Sequence, residues 1–195
     1  ANQNEMHGGQ SVPNFDYAMA QGVAKTFRKA YFKSLIQYFQ ITHGMKREDA
    51  AALVRAAQEE LGRDVGLERG EPYGERLAAW LPEHQRAHGF EEISQEEARR
   101  AHRYAMDTAG RDADDATFQA MEALVHNLNT MNSRAGAQVP FSSINYGTDT
   151  SPEARMVIRN LLLATDDGLG DGETPIFPVQ IFKVKEGVNF NPGDP

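Results

Sequence analysis

The chain has 195 residues, 40% apolar and 25% charged, with 28 acidic against 20 basic side chains and a formal charge of -8; this profile fits a soluble globular protein of about one domain and argues against a surface built to neutralise nucleic acid. It holds no run of about 18 apolar residues able to span a membrane, and the opening Ala1-Asn2-Gln3-Asn4-Glu5 lacks the basic and apolar regions of a signal peptide, so a cytoplasmic location is expected. Zero cysteines exclude a disulfide framework, a thiolate metal site and a thiol nucleophile within these residues.

In chain order, Ser11 is placed to cap a helix carrying Phe15, Met19, Val23, Phe27, Tyr31, Leu35 and Phe39 at i+4 spacing, until Gly44 offers a stop. A second helix is expected from Met45 to Leu61, with Ala51, Leu53, Val54 and Ala57 on one side and Gly62 behind it. Residues 63–92 are charged and glycine-rich, and one short helix is expected there through Glu75, Leu77, Trp80 and Leu81. Ser94 and Glu97 fit a capping box, in which hydroxyl and carboxylate satisfy orphan backbone donors, and a third helix follows to about Ala109. A fourth, from about Asp112 to Ser133, rests on Phe118, Met121, Val125 and Leu128.

The period then changes. Val139 to Tyr146, between Gly136 and Gly147, reads as a strand with a polar centre. Ser151-Pro152-Glu153 supplies a cap, a proline at the first helical position and an acid in the first turn, so a helix through Met156, Ile158, Leu161 and Leu162 should run to about Asp167-Gly168. Pro175 to Val184 reads as a second strand, apolar on both faces in its middle as buried parallel strands are. Strand, helix and strand at this spacing make a βαβ unit. The fold expected is α/β, one partial domain that is helical over about 1–134 and β-α-β over about 135–195, with helices feeding a parallel sheet or barrel. Asn191-Pro192-Gly193-Asp194-Pro195 reads as a turn waiting for another element, and Ala1 is not methionine, so both ends are expected to continue into a longer chain.

Four stretches carry a resemblance: Gln138-Val139-Pro140-Phe141-Ser142-Ser143-Ile144-Asn145-Tyr146-Gly147-Thr148-Asp149-Thr150-Ser151, Arg159-Asn160-Leu161-Leu162-Leu163-Ala164-Thr165, Gly172-Glu173-Thr174-Pro175-Ile176-Phe177-Pro178, and Phe182-Lys183-Val184-Lys185-Glu186-Gly187-Val188-Asn189 closing on Pro192-Gly193-Asp194. With His7-Gly8-Gly9-Gln10-Ser11-Val12-Pro13-Asn14 at the start, the chain resembles the anaerobic, class III ribonucleoside-triphosphate reductases. The resemblance implies a ten-stranded β/α barrel of two half-barrels. It also implies reduction of ribonucleoside triphosphates by glycyl and thiyl radical chemistry, structural zinc on four cysteines, ATP or deoxynucleotide effectors, a radical-SAM activating enzyme and a homodimer. Without cysteine this segment can hold neither the zinc nor the thiyl residue, so no catalytic or metal-binding residue is assigned and the segment alone is expected to be inactive.

Ser143 and Asn145 fall on one face of the polar strand and Ser142 on the other; polar groups at a barrel strand suit the hydroxyls of a sugar substrate, though Ser and Asn also commonly satisfy neighbouring backbone. Lys29 sits where the resemblance places an effector-binding lysine, against the plainer reading of a solvated lysine beside Arg28. Gly168-Leu169-Gly170-Asp171-Gly172 follows a helix instead of preceding one, the wrong order for cradling phosphate. His84 and His88 have a spacing that can hold zinc but lack a third ligand, and read as an exposed helical face. The competing readings are a free-standing nucleotide-binding or regulatory module and a helical protein built for self-association. Strands made for burial but cut from a barrel should leave exposed apolar faces.

Overall fold

The computed structural model describes residues 9–68, 72–85, 93–131, 139, 141–170 and 172–195. They form β1 (Gly9–Val12), α1 (Phe15–His43), α2 (Arg47–Leu61), α3 (Pro72–His84), α4 (Gln95–Thr130), β2 (Phe141–Tyr146), α5 (Pro152–Asp167) and β3 (Val179–Phe182). The architecture is mixed α/β, mostly helical, with one parallel sheet of order β1-β2-β3. Two compact units are present, one of residues 24–113 and one that joins residues 1–23 to 114–195.

In the 24–113 unit, α1 buries Phe27, Tyr31, Leu35 and Phe39, the stripe its spacing predicts. α2 buries Ala50, Leu53, Val54 and Ala57, and α3 buries Tyr73, Leu77, Trp80 and Leu81. Tyr31 is the hub, edge-on to Phe32, Tyr73 and His102, and it shares a 2.8 Å hydrogen bond with His102 Nδ1. A Cβ at Gly74 would lie 2.5 Å from the His102 ring, so only glycine admits this imidazole. Burial, partly opposed by Glu75, holds His102 below its ordinary range.

The capping box forms as its residues predict: Ser94 N donates to Glu97 Oε2 at 2.7 Å and Glu97 N to Ser94 Oγ at 3.2 Å. Ser94→Ala should therefore cost about 1 kcal/mol, read as a lower urea midpoint with an unchanged denaturant slope.

Four expectations are corrected. Ser11 does not cap α1; it lies in β1, opposite Ser143 of β2. Gly9-Gln10-Ser11-Val12 is too short and polar to announce a strand by alternation, and long-range pairing decides its state. The third and fourth helices are one element, α4, because Ala98, Ala101, Ala105, Ala109 and Ala113 form a fully buried stripe through the expected break at Gly110. The cost of about 1 kcal/mol for an internal glycine does not end a helix so packed. β3 is shorter than Pro175–Val184 and is not buried on both faces, since Val179, Ile181 and Phe182 are exposed. It pairs with β2 alone among the described residues, so its apolar side chains stand at a sheet edge.

Candidate functional site

β2 sorts its side chains by alternation. Ser142, Ile144 and Tyr146 are buried, whereas Phe141, Ser143 and Asn145 are exposed or half-buried on the opposite face. Tyr146 Oη donates to Gln180 Oε1 at 2.8 Å and Gln180 Nε2 to Thr165 Oγ1 of α5 at 2.8 Å, which places α5 over the buried face. Ser11 Oγ donates to Asn145 Oδ1 at 3.5 Å, a weak bond that still puts these two on the same side of the sheet. Ser11, Ser143 and Asn145 thus form a polar strip on the face away from α5. Ser142 points the other way, and its buried hydroxyl has no hydrogen-bond partner among the described residues.

Where the three strands end, the chain is fixed by side chains that sequence reasoning passed over. Asp16, in the first turn of α1, is fully buried; its Oδ2 accepts from Gly147 N at 2.8 Å, Thr148 N at 3.1 Å and Asp149 N at 3.1 Å, and its Oδ1 from Tyr17 N at 2.9 Å. Burial pushes this carboxyl upward, but the four backbone donors outweigh it and leave Asp16 below the usual carboxylate range. Lys183 Nζ donates to Asn14 Oδ1 at 2.6 Å, tying the end of β3 to that of β1. Asn189 donates to the Gly147 and Lys183 carbonyls and accepts from Lys185 N, so the segment after β3 closes over the end of β2. Upstream, Asn129 of α4 accepts from Ile176 N and Phe177 N and donates to Phe177 O, setting the approach to β3. No local motif marks these residues; the nearest signals are the acid one position into α1 and, near prolines in turns, Asn14 and Asn189.

A cavity of about 360 Å³ opens at this end, with Asp149, Thr150, Arg155 and Asn189 in its wall. It presents a carboxylate, a hydroxyl, a guanidinium and an amide, a set able to donate to and accept from a polar ligand.

Lys29 is exposed on α1 in the 24–113 unit. His84 stacks on Trp80 at 4.3 Å and lies 3.3 Å from Glu60, while His88 is outside the described residues, as are His7 and Gly8. No cluster of three metal-ligating side chains occurs among the described residues. In the glycine-rich turn after α5, Leu169 N donates to Glu173 O at 3.0 Å, closing the loop on itself; Asp171 is outside the described residues.

The sequence profile of the family described as anaerobic ribonucleoside-triphosphate reductase matches residues 1–194. Curated proteins of that name are similar over part of the chain. The one from Enterobacteria phage T4 is 43% identical over 93 residues, covering 47% of this chain and 14% of the phage protein. That from Haemophilus influenzae is 37% identical over 79 residues, 40% of this chain and 11% of the relative. The Escherichia coli protein is 34% identical over 79 residues, with the same two coverages of 40% and 11%. The matched part is thus a small fraction of each relative's length.

Proposed function

The chain belongs to the anaerobic ribonucleoside-triphosphate reductase family, and from that premise we propose that it forms part of the barrel wall and substrate-facing sheet of an enzyme reducing ribonucleoside triphosphates to deoxyribonucleoside triphosphates. The observation that carries this is the polar strip of Ser143 and Asn145 beside Ser11, on the face of a parallel sheet that α5 does not cover. Such a strip can hold sugar hydroxyls, because a serine hydroxyl and an asparagine amide each donate and accept. Ser143 and Asn145 bind and orient the ribose, and Ser142 supports the strand from the helix-covered side. Orientation is the contribution available to these residues, and radical abstraction depends on it.

The glycyl and thiyl radicals supply hydrogen abstraction in this reading. With zero cysteines, this chain fits neither the thiyl residue nor the zinc ligands, which other residues of the protein would contribute. The isolated segment is accordingly inactive, and β1, β2 and β3 are three of ten barrel strands. The helices α1 to α4 carry part of the effector pocket, with Lys29 reaching the nucleotide effector, and part of a homodimer contact. The whole protein is cytoplasmic and takes its radical from a radical-SAM activating enzyme.

Ser143→Ala and Asn145→Ala in the protein carrying the chain should each weaken ribonucleoside triphosphate binding by about tenfold, the loss of one hydrogen bond worth about 1.4 kcal/mol. Isothermal titration reads this directly. Wild-type affinity in both variants would overturn the assignment of this face to substrate.

A further inference from the structure

The polar strip on the sheet face away from α5 has a cation at its carboxyl end. Tyr146 pairs with Phe182 in the β2–β3 register, and Lys183 N donates to Tyr146 O at 2.7 Å, so the ladder runs one residue past β3. Strand alternation then assigns Lys183 a face. Gln180 and Phe182 point to the side of Tyr146, where both meet its side chain, Gln180 through a 2.8 Å hydrogen bond and Phe182 ring to ring at 5.9 Å. Lys183 points to the other side, with Ser143 and Asn145.

Its ammonium reaches across the end of β2. β1 and β3 flank β2 in the sheet, and the 2.6 Å bond from Lys183 Nζ to Asn14 Oδ1 joins the residue after β3 to the turn after β1. That turn is itself anchored, since Asn14 O accepts from Ala18 N of α1 at 3.0 Å. An ammonium has three donors, of which Asn14 takes one. Lys183 forms no ion pair among the described residues. The carboxylate of Asp16 already accepts from four backbone amides, and Asp149 lines the cavity beside Phe182, on the side of the sheet that α5 covers. The cation is therefore fixed in place with donors to spare.

We propose that Lys183 binds the phosphate chain of the ribonucleotide whose sugar the strip holds. Lys183 lies two residues beyond Ile181, the register partner of Asn145, which sets its Cα about 7 Å further along the strands and about 5 Å to one side. A nucleotide carries its anionic end one sugar ring away from its hydroxyls, and the side chains of Asn145 and Lys183 span a gap of that size. A chain of formal charge -8 repels a polyanion at large, so a fixed cation at the strand ends is what lets one dock in a defined direction. Hydrogen bonds from an ammonium to phosphate oxygens are of the stronger, charge-assisted kind. The inference rests on the reading of this face as the substrate site and adds the group that recognises phosphate.

Equilibrium titration of the whole protein carrying the chain, with cytidine triphosphate and separately with cytidine, divides phosphate recognition from sugar recognition. Lys183→Gln removes the charge but keeps an N–H to offer Asn14; it should weaken the triphosphate about tenfold or more while leaving cytidine unchanged. Lys183→Arg keeps the charge and should bind the triphosphate nearly as wild type does. Added salt should weaken triphosphate binding more in wild type than in Lys183→Gln. Unchanged triphosphate affinity in Lys183→Gln would overturn the proposal, and so would an equal loss for cytidine and its triphosphate, which would reduce Lys183 to a brace between strand ends. Ser143→Ala and Asn145→Ala, titrated alongside, tell this failure from that of the substrate reading. Loss of cytidine in those two with no loss in Lys183→Gln would remove Lys183 alone; loss of the triphosphate in Lys183→Gln with none in those two would keep the phosphate contact and remove the ribose strip. A wild type that binds neither compound would overturn both.

Discussion

Asp16→Ala should lower the stability of the folded protein by about 3–5 kcal/mol, because it removes a buried charge from donors that have no other acceptor in place. Three of those donors, Gly147 N, Thr148 N and Asp149 N, follow β2 directly, and the fourth belongs to α1. Water replacing the carboxylate would have to enter a site where Asp16 is 0% exposed. Asp16→Asn keeps one oxygen as an acceptor but sets an amide N–H against the amides it must serve, and should cost about half as much. The folded carboxyl lies below its ordinary value of 3.8, so its stabilisation is fully present above that pH and is lost as pH falls through the depressed value. Urea titrations should show wild type losing stability below about pH 4, while Asp16→Asn shows a shallower decline. Equal acid sensitivity in the two proteins would show that the carboxylate is not what holds this turn.

Gly147→Ala should cost about 2–4 kcal/mol at the same junction. Gly147 has φ +112, a region that L side chains rarely adopt, and an added Cβ would lie 2.7 Å from the Phe182 ring and 2.9 Å from the Lys183 carbonyl. The exposed ring can swing aside. The carbonyl cannot readily do so, because it also accepts from Asn189. Moving it would disturb both Asn189 and the Gly147 N–H that serves Asp16, so Asp16→Ala and Gly147→Ala combined should destabilise by less than their sum. Denaturation of the two single variants and the double variant measures this coupling; strict additivity would show the two residues act independently.

How far the sequence disclosed this arrangement follows from which interactions are local. α1, α2, α3 and α5 announce themselves by apolar residues three and four apart and by their ends: Ser151 Oγ accepts from Ala154 N at 3.2 Å, and Gly44, Gly62 and Gly168 take positive φ as helix stops. The opposite facing of Ser143 and Ser142 needed only the two-residue period of a strand. β1 was not legible, because four mostly polar residues become a strand only by pairing with β2, far along the chain. The continuity of α4 was hidden by its alanines, which bury completely yet contribute a weak hydrophobic signal. The exposure of β3 reflects which strands stand beside it, which composition does not encode. Asp16 reads locally as an acid favouring a helix N-terminus; its larger role depends on amides 131 to 133 residues away. Asn129 and Asn189 escaped notice for the same reason, since an asparagine that binds backbone at long range looks in sequence like one that binds water.

The most direct measurement is anaerobic turnover. The complete protein carrying this chain, treated with the radical-SAM activating enzyme that the proposed function calls for and given a ribonucleoside triphosphate, is assayed for deoxyribonucleoside triphosphate, with the Ser143→Ala/Asn145→Ala double variant alongside. Product from wild type, and at least tenfold less from the folded double variant, is the result expected; no product from an activated wild type, or an undiminished rate from the double variant, would contradict the proposal that β2 faces the substrate of a ribonucleotide reductase.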